Sequence, residues 1–173
     1  MIEIDKLVKE SLLEFMSDLL VSDWQGVREN EARSLYVFGY LVKRCRPRGF
    51  LHDLTQIAIE VPVPQIDSQI QRQLSGKQTT KADVTKDLVV WPKAWMTCWQ
   101  EGKSHNYPSL IMEWKINKPK VSSYDVRWLQ AFSLGRRDFV GYALCIDRKR
   151  RNFALNCTRV YDGQAEPEWL LIN

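Results

Sequence analysis

Three charged side chains lie within the most strand-like apolar segments of the chain. Asp87 stands in the run KDLVVWP, and Glu113 and Lys115 stand in the run SLIMEWKIN. Two carboxylates buried side by side repel each other, and their burial is costly unless a positive charge offsets theirs. Carboxylate oxygens are suitable ligands for Mg²⁺ or Mn²⁺. Such an ion with a lysine beside it has the chemistry needed to hydrolyse a phosphodiester.

Alternation along extended strands predicts that these three groups meet. In 109–117, Glu113 and Lys115 project from the same face, roughly 7 Å apart along the strand. If this strand pairs with 83–91, Asp87 lies opposite Glu113 across the ladder. An E-x-K triplet also arises by chance, and most such pairs are surface ion pairs. Here the apolar frame, the preceding strand with its acid, and the helix and strand that follow favour a catalytic site.

The elements that would position this site follow from hydrophobic periodicity and turn residues. The predicted order is a helix over 3–20, a helix over 27–45, strands over 55–63, 81–91 and 108–117, a capped helix within 121–138, and strands over 139–147 and 152–160. Residues 64–79 are polar and predict a mobile connection with at most one short helical turn. The order predicts an α/β or α+β fold with a central mixed β-sheet of about five strands flanked by helices.

Length and composition restrict the class of protein. With 173 residues we expect one domain over 1–173, made of an N-terminal amphipathic helix (1–23) and a core (27–160). No apolar run approaches the roughly 20 residues that span a bilayer, and the N-terminus is unlike a secretory signal, so we expect no membrane partner and a cytoplasmic location. The four cysteines form no CxxC pair and predict reduced, mostly buried thiols.

Charge is unevenly distributed along the chain. Residues 1–23 carry six acids and two lysines, whereas the remainder carries 23 basic and 15 acidic residues. A mildly basic body suits a polyanion such as DNA, although many ordinary proteins are as basic.

The two charged segments together resemble the motif of a known nuclease superfamily. DLVVWP followed by LIMEWK is similar to the motif of the PD-(D/E)XK nucleases, which share the restriction-endonuclease-like fold. The resemblance maps the family's variable Asp onto Asp87, its Glu onto Glu113 and its Lys onto Lys115. It implies a core in αβββαβ order with an extra N-terminal helix, and the periodicity gives the same order independently over 27–149.

Further site residues follow from the resemblance, with alternatives. Lys86 rather than proline precedes the aspartate, and Asp83 shares its predicted face, so Asp83 is the alternative ligand. Many members carry an acid on the first core helix, where Glu31 is the best match and Glu29 the second; stabilisation of the helix N-terminus explains both equally well. Some exonuclease-like members use a glutamine on the helix after the motif, a place that Gln130 could fill.

Basic and aromatic residues supply candidate contacts to nucleic acid. Basic groups hold phosphates without reading sequence, but solvated surface positions explain them equally well. Trp91, Trp95 and Trp99 could stack on bases, although packing within the protein is the commoner role. The candidate phosphate contacts are Lys118, Lys120, Arg136, Arg137, Arg148, Lys149 and Arg150.

These residues predict a magnesium-dependent deoxyribonuclease. Asp87, Glu113 and the backbone carbonyl of Trp114 would hold Mg²⁺ or Mn²⁺, and Lys115 would position or activate water. The alternative is a nuclease-like DNA-binding or assembly module without catalysis, whose N-terminal helix serves a homodimer or a partner protein. Hydrolysis of RNA or a nucleotide is a third reading.

Overall fold

The computed structural model describes residues 3–22, 28–76, 81–99, 106–149 and 152–173. Its α-helices are α1 (Glu3–Val21), α2 (Glu29–Tyr36), α3 (Ser68–Ser75) and α4 (Ser123–Ser133). Its strands are β1 (Ile57–Pro64), β2 (Asp83–Val90), β3 (Leu110–Ile116), β4 (Val140–Lys149), β5 (Asn152–Tyr161) and β6 (Gln164–Ile172). A π-helical turn (Val37–Leu41) and a 3-10 turn (Val42–Arg44) prolong α2, and a 3-10 turn (Leu54–Gln56) precedes β1.

The strands form one open mixed sheet in which spatial order follows chain order from β1 to β6. Four of the five neighbouring pairs are antiparallel, and β3 and β4 are parallel. A parallel pair needs a crossover connection, and α4 supplies it. The predicted mixed α/β architecture is confirmed, with six described strands in place of about five.

Helices cover both faces of the sheet and divide the apolar residues into two cores. The first core packs α1 and the α2 segment on one face, with Phe15, Tyr36 and Trp114 among its members. The second core packs α4 on the other face through Trp128 and Phe132. Alternation in β3 sends Met112 and Trp114 to the first core and Ile111 to the second, as the period-2 pattern predicts.

The sixth strand is missing from the sequence-based prediction. Asp162 and Gly163 both have positive φ (45° and 77°), the backbone that a two-residue hairpin turn requires. An Asp-Gly pair is a strong hairpin signal, but the strand after it contains Pro167 and two glutamates and lacks clean alternation. The composition of β6 therefore does not predict a strand, and only the Asp162–Gly163 turn before it indicates one.

Local signals explain the ends of the two shorter helices. The Asp67 side chain accepts hydrogen bonds from Gln69 and Ile70 at the start of α3, and Gly76, with φ of 69°, ends it. The connection predicted over 64–79 thus contains an eight-residue helix, more than a single turn. At the start of α4, the predicted cap is confirmed because Ser122 Oγ accepts a hydrogen bond from the Asp125 amide.

Close packing fixes α4 against the sheet. A Cβ on Gly141 of β4 would lie 2.9 Å from the side chain of Leu129, so any larger residue here would require Leu129 to shift. The crossover helix begins near the end of β3 and returns toward the start of β4. Residues in its first turn are therefore near the carboxyl end of β3, and those in its last turn are far from it.

Other expectations have mixed outcomes. Residues 35–42 of the predicted second helix are apolar nearly all round, which predicts deep packing, but this is wrong at Phe38, which is 71% exposed. The four cysteines are all free of disulfides, and three of them are buried, as predicted. No helix among the described residues has the length and apolar character required to cross a membrane.

Candidate active site

The candidate site lies where β2 and β3 stop pairing. The register pairs Leu88 with Met112, so Asp87 and Glu113 occupy the next rung, as predicted, but the ladder ends before it. There Asp87 Oδ2 accepts a hydrogen bond from the backbone amide of Trp114 at 2.9 Å. The Asp87 side chain thus takes the place of the backbone partner that the Trp114 amide would have in a regular ladder. This hydrogen bond holds the Asp87 carboxylate against β3.

A one-residue shift in the alternation of both β1 and β2 positions the Asp87 and Lys86 side chains. In β1, Ile59 packs in the first core but Val61 packs in the second, so the alternation shifts by one residue at Glu60. Glu60 has φ of 53°, a left-handed conformation that costs a non-glycine residue about 1–3 kcal/mol. The register around it is unchanged, because Val61 still pairs with Lys86.

The same shift occurs in β2 at Asp87. Leu88 packs in the first core, yet Val84 packs in the second and the Lys86 ammonium lies over Trp128 of the second core. Strict alternation over 83–91, which puts Asp87 on the same face as Asp83, is therefore wrong. Asp87 instead faces α2, and Lys86 takes the place beside Glu113.

Arg33 of α2 stabilises this distortion. Its side chain is 3% exposed, and it donates from Nη1 to Asp87 Oδ1 at 2.8 Å and from Nη2 to Glu60 Oε1. One guanidinium therefore binds the two residues at which the alternation shifts. Four residues separate Glu29 from Arg33, so both project from one face of α2 toward the site.

Glu113 is paired with a buried lysine. Lys86 Nζ donates to Glu113 Oε1, and the two side chains are 4% and 8% exposed. The same ammonium lies 3.5 Å from the centre of the Trp128 ring. Trp128 is held in turn by a hydrogen bond from its Nε1 to Gln65 Oε1 at 3.0 Å.

Lys115 lies among acceptors at the edge of the cluster. Its Nζ is 2.7 Å from the Trp114 carbonyl oxygen, 3.4 Å from Glu29 Oε1 and 4.0 Å from Asp87 Oδ2. Burial alone would lower the pKa of Lys115, but the carboxylates of Glu29 and Asp87 outweigh it and raise the pKa above its usual value. The lysine is therefore charged at neutral pH.

Two carboxyl groups have raised pKa values for a common reason. Burial raises the pKa of Glu113 to about 7, with the charge of Lys86 lowering it and those of Asp87 and Asp125 raising it. Burial also raises the pKa of Glu29, against the opposing charge of Lys115. Burial of these two carboxyl groups therefore outweighs the cations beside them.

The helix acid of the site is Glu29, so the preference for Glu31 is wrong. Glu31 pairs with Arg28 at 4.0 Å and is 48% exposed, whereas Glu29 contacts Lys115. The two positions differ by two residues and so project from different sides of the helix.

On α4, the residue near the site is Asp125 and not Gln130. Gln130 donates to the Gly163 carbonyl at 3.1 Å, beyond the far end of β5, so its predicted catalytic place is wrong. Asp125 is 9% exposed and its charge acts on both Glu113 and Lys115. The signal that could have found it is its place in the first turn of the crossover helix.

The basic candidates separate into two groups. Lys118 and Lys120 are exposed just beyond β3, and Arg148 lies at the corresponding end of the parallel strand β4. Arg136 and Arg137 precede β4 at the opposite end, and the Arg136 guanidinium lies 4.6 Å from the centre of the Tyr107 ring. The Lys149 side chain and Arg150 lie outside what the structure describes.

The remaining candidates lie away from the cluster. Asp83 begins β2 and lines a hollow with Gln65, Gln71, Lys81 and Thr85. Trp91 is buried in the second core, whereas Trp95 and Trp99 are 82% and 49% exposed beside a groove of about 430 Å³.

The cluster agrees with a divalent cation in donor chemistry and in charge. Among the described residues, no three or more His, Cys, Asp or Glu side chains are already arranged to hold a metal ion. Five carboxylates face three cations, which leaves a formal charge of −2. The carboxylates are Glu29, Glu60, Asp87, Glu113 and Asp125, and the cations are Arg33, Lys86 and Lys115. Oxygen ligands and this excess charge suit Mg²⁺ or Mn²⁺.

Comparison with known proteins gives no family for this chain. No protein-family model, curated protein or solved structure matches it. The chemistry of the cluster is therefore the basis for a functional assignment.

Proposed function

We propose that the protein is a metal-dependent nuclease that hydrolyses phosphodiester bonds of DNA at this cluster. The observation that carries the proposal is the meeting of Asp87, the Trp114 backbone and Lys115 where β2 and β3 diverge. The element order from α2 to β4 supports a restriction-endonuclease-like core, since a three-strand meander, a crossover helix and a parallel strand follow one helix.

Asp87 and the Trp114 carbonyl would hold Mg²⁺ or Mn²⁺ where the strands diverge, and Glu113 would join them once Lys86 releases it. The bound ion would polarise a phosphoryl oxygen and lower the pKa of its water. Arg33 and the Trp114 amide fix the orientation of Asp87 before any substrate arrives. Preorganised groups of this kind need no rearrangement during the reaction.

Lys115 acts as a charged group in this proposal. Since the surrounding carboxylates raise its pKa, its ammonium has no lone pair with which to accept a proton from water. Its role is to donate hydrogen bonds and to stabilise negative charge that develops on the phosphate. Glu29 and the Trp114 carbonyl position the ammonium.

Basic residues at the same end of the sheet would hold the flanking phosphates. Lys118 and Lys120 are exposed there and follow β3 directly. Contacts of this kind give affinity that depends on salt and not on base sequence. We therefore assign binding of the DNA backbone to this end.

The test is a cleavage assay with plasmid, linear and branched DNA in Mg²⁺ or Mn²⁺, with RNA as a competitor. Asp87→Asn, Glu113→Gln and Lys115→Ala should each lower the rate by about 100-fold or more. Glu31→Gln is the matched control, since Glu31 is an acid of the same helix that pairs only with Arg28 among the contacts described. Cleavage that persists in all three site variants would exclude this site.

A second function is favoured by the pairing of both motif acids. Asp87 is bound by Arg33 and Glu113 by Lys86, so each carboxylate already has a cation. A nuclease-like module that binds nucleic acid without cutting it would have such a site. Calorimetry that detects salt-dependent DNA binding but no heat from Mn²⁺ would support the module over the nuclease.

A further inference from the structure

Lys86 is buried inside the cluster, with its ammonium between Glu113 and the Trp128 ring. Its side chain is 4% exposed, its ammonium donates to Glu113, and the Trp128 ring lies 3.5 Å away. A buried ammonium is costly unless it is paired, and an aromatic face adds attraction when water is excluded. Trp128 is stacked on Phe132, with 4.9 Å between ring centres, and bound to Gln65, so the ring is fixed independently of the lysine.

The fold places Lys86 there by the distortion at Glu60 and Asp87. Regular alternation would put Lys86 on the side of Leu88, in the first core. The shift instead brings the ammonium to Glu113 and leaves Asp87 with Arg33. The same two changes of face that build the site therefore give Glu113 an internal counter-ion.

We propose that Lys86 is a positioning residue that competes with the divalent cation for Glu113 and so sets the metal affinity of the site. The Lys86 ammonium is attracted to the Trp128 ring as well as to Glu113, so a divalent cation can displace it from the carboxylate. The inference rests on the proposed function for the identity of the cation, and it extends that function to the control of metal binding.

Removal of each partner should shift metal binding in opposite directions. Lys86→Met removes the competing charge at similar volume and should tighten Mn²⁺ binding about tenfold or more. Trp128→Phe keeps a ring with a weaker attraction for cations, so the ammonium depends more on Glu113, and Mn²⁺ binding should weaken by about two- to threefold. General damage to the fold would weaken binding in both variants.

The measurement is calorimetric titration of the metal-free protein with Mn²⁺, in the absence of nucleic acid, with thermal unfolding followed in parallel. Lys93→Met is the control, since Lys93 is exposed beyond the end of β2.

Tighter binding in Lys86→Met than in Lys93→Met supports the inference, even if the wild type cuts no DNA. Equal or weaker binding overturns it while the nuclease proposal stands on its own assay. If Lys86→Met does not fold, Lys86→Gln takes its place: it also removes the charge, so tighter Mn²⁺ binding supports the inference and equal or weaker binding overturns it. Absence of metal binding in every protein overturns both.

Discussion

Two buried polar networks in this protein differ in how their charges are matched. In the first, Asp5 of α1 accepts at one oxygen from Tyr142 at 2.6 Å and from Arg159 at 2.7 Å, and the arginine also contacts Glu166. In the second, around Asp87 and Glu113, five carboxylates face three cations. In the Asp5 network both donors converge on one buried acid, and the second acid, Glu166, is exposed. In the site, two of the outnumbering acids, Glu113 and Asp125, are themselves buried.

The difference separates a structural network from one suited to binding. Asp5 joins the N-terminal helix to β4 and β5, and its donors leave it no need of a further cation. In the site, the raised pKa values of Glu29 and Glu113 arise from burial that the neighbouring cations do not offset. Buried carboxyl groups with raised pKa values are typical of functional sites, where stability is traded for chemistry.

The largest expected effect on stability is at Asp5. Asp5→Ala leaves the Arg159 guanidinium without its buried partner and should lower the free energy of unfolding by about 3 kcal/mol or more. Urea unfolding followed by circular dichroism measures the change. Activity at a temperature well below the midpoint should be retained, because Asp5 has no contact with the cluster among those described.

Glu29→Gln is the matching change in the site. It removes one excess carboxylate whose neutral form burial already favours, so stability should be unchanged or raised by up to about 1 kcal/mol. Cleavage should fall, because the Lys115 ammonium loses a negatively charged partner. A loss of stability as large as that in Asp5→Ala would contradict the distinction between the two networks.

A pH titration tests the burial of Glu113 directly. Burial raises the pKa of Glu113 from 4.5 to about 7, so between these values the folded state binds a proton that the unfolded state releases. Stability should therefore fall as pH rises through this range. The fall is expected to be on the order of 1–3 kcal/mol greater in the metal-free wild type than in Glu113→Gln.

Chemical unfolding of both proteins at several pH values provides the measurement. Subtracting the variant from the wild type removes the contribution of every other titrating group. Added Mn²⁺ should reduce the fall, because a cation at the carboxylate favours its charged form. Identical pH profiles for the two proteins would show that burial does not raise the pKa of Glu113.

The sequence predicts the part of the site that depends on regular alternation. Apolar residues at alternate positions align Leu88 with Met112, and the next rung then holds Asp87 and Glu113. The change of face at Asp87 depends on a left-handed Glu60 and on a guanidinium from a distant helix. No local pattern contains that information, so the place of Lys86 could not be predicted.

Helical phase and chain direction account for the other corrections. Periodicity gives the extent of α2 but not which of its acids faces β3, so Glu29 and Glu31 could not be separated. Asp125 could have been preferred to Gln130, because a crossover helix begins beside the strand that precedes it. The Asp-Gly turn at 162–163 likewise indicates β6 before any coordinates.

The smallest expected effect concerns which end of the sheet would bind DNA under the proposed function. A cluster that acts on phosphates needs basic residues around it, and Lys118 and Lys120 lie at its end, whereas Arg136 and Arg137 lie at the other. The double variant Lys118→Ala/Lys120→Ala should weaken DNA binding and lower the slope of log affinity against log salt by about 1–2, since each phosphate contact contributes roughly 0.7–0.9. The matched pair Arg136→Ala/Arg137→Ala should leave the slope unchanged. The Arg136 guanidinium is already packed on Tyr107. The arginines also lie at the far end of the sheet, since β3 runs five residue steps from Leu110 to Lys115, roughly 17 Å.

Fluorescence anisotropy with a labelled duplex, over a series of salt concentrations and with chelator to prevent cleavage, measures both slopes. A loss confined to the arginine variant would place the DNA away from the carboxylates and would separate binding from the proposed chemistry.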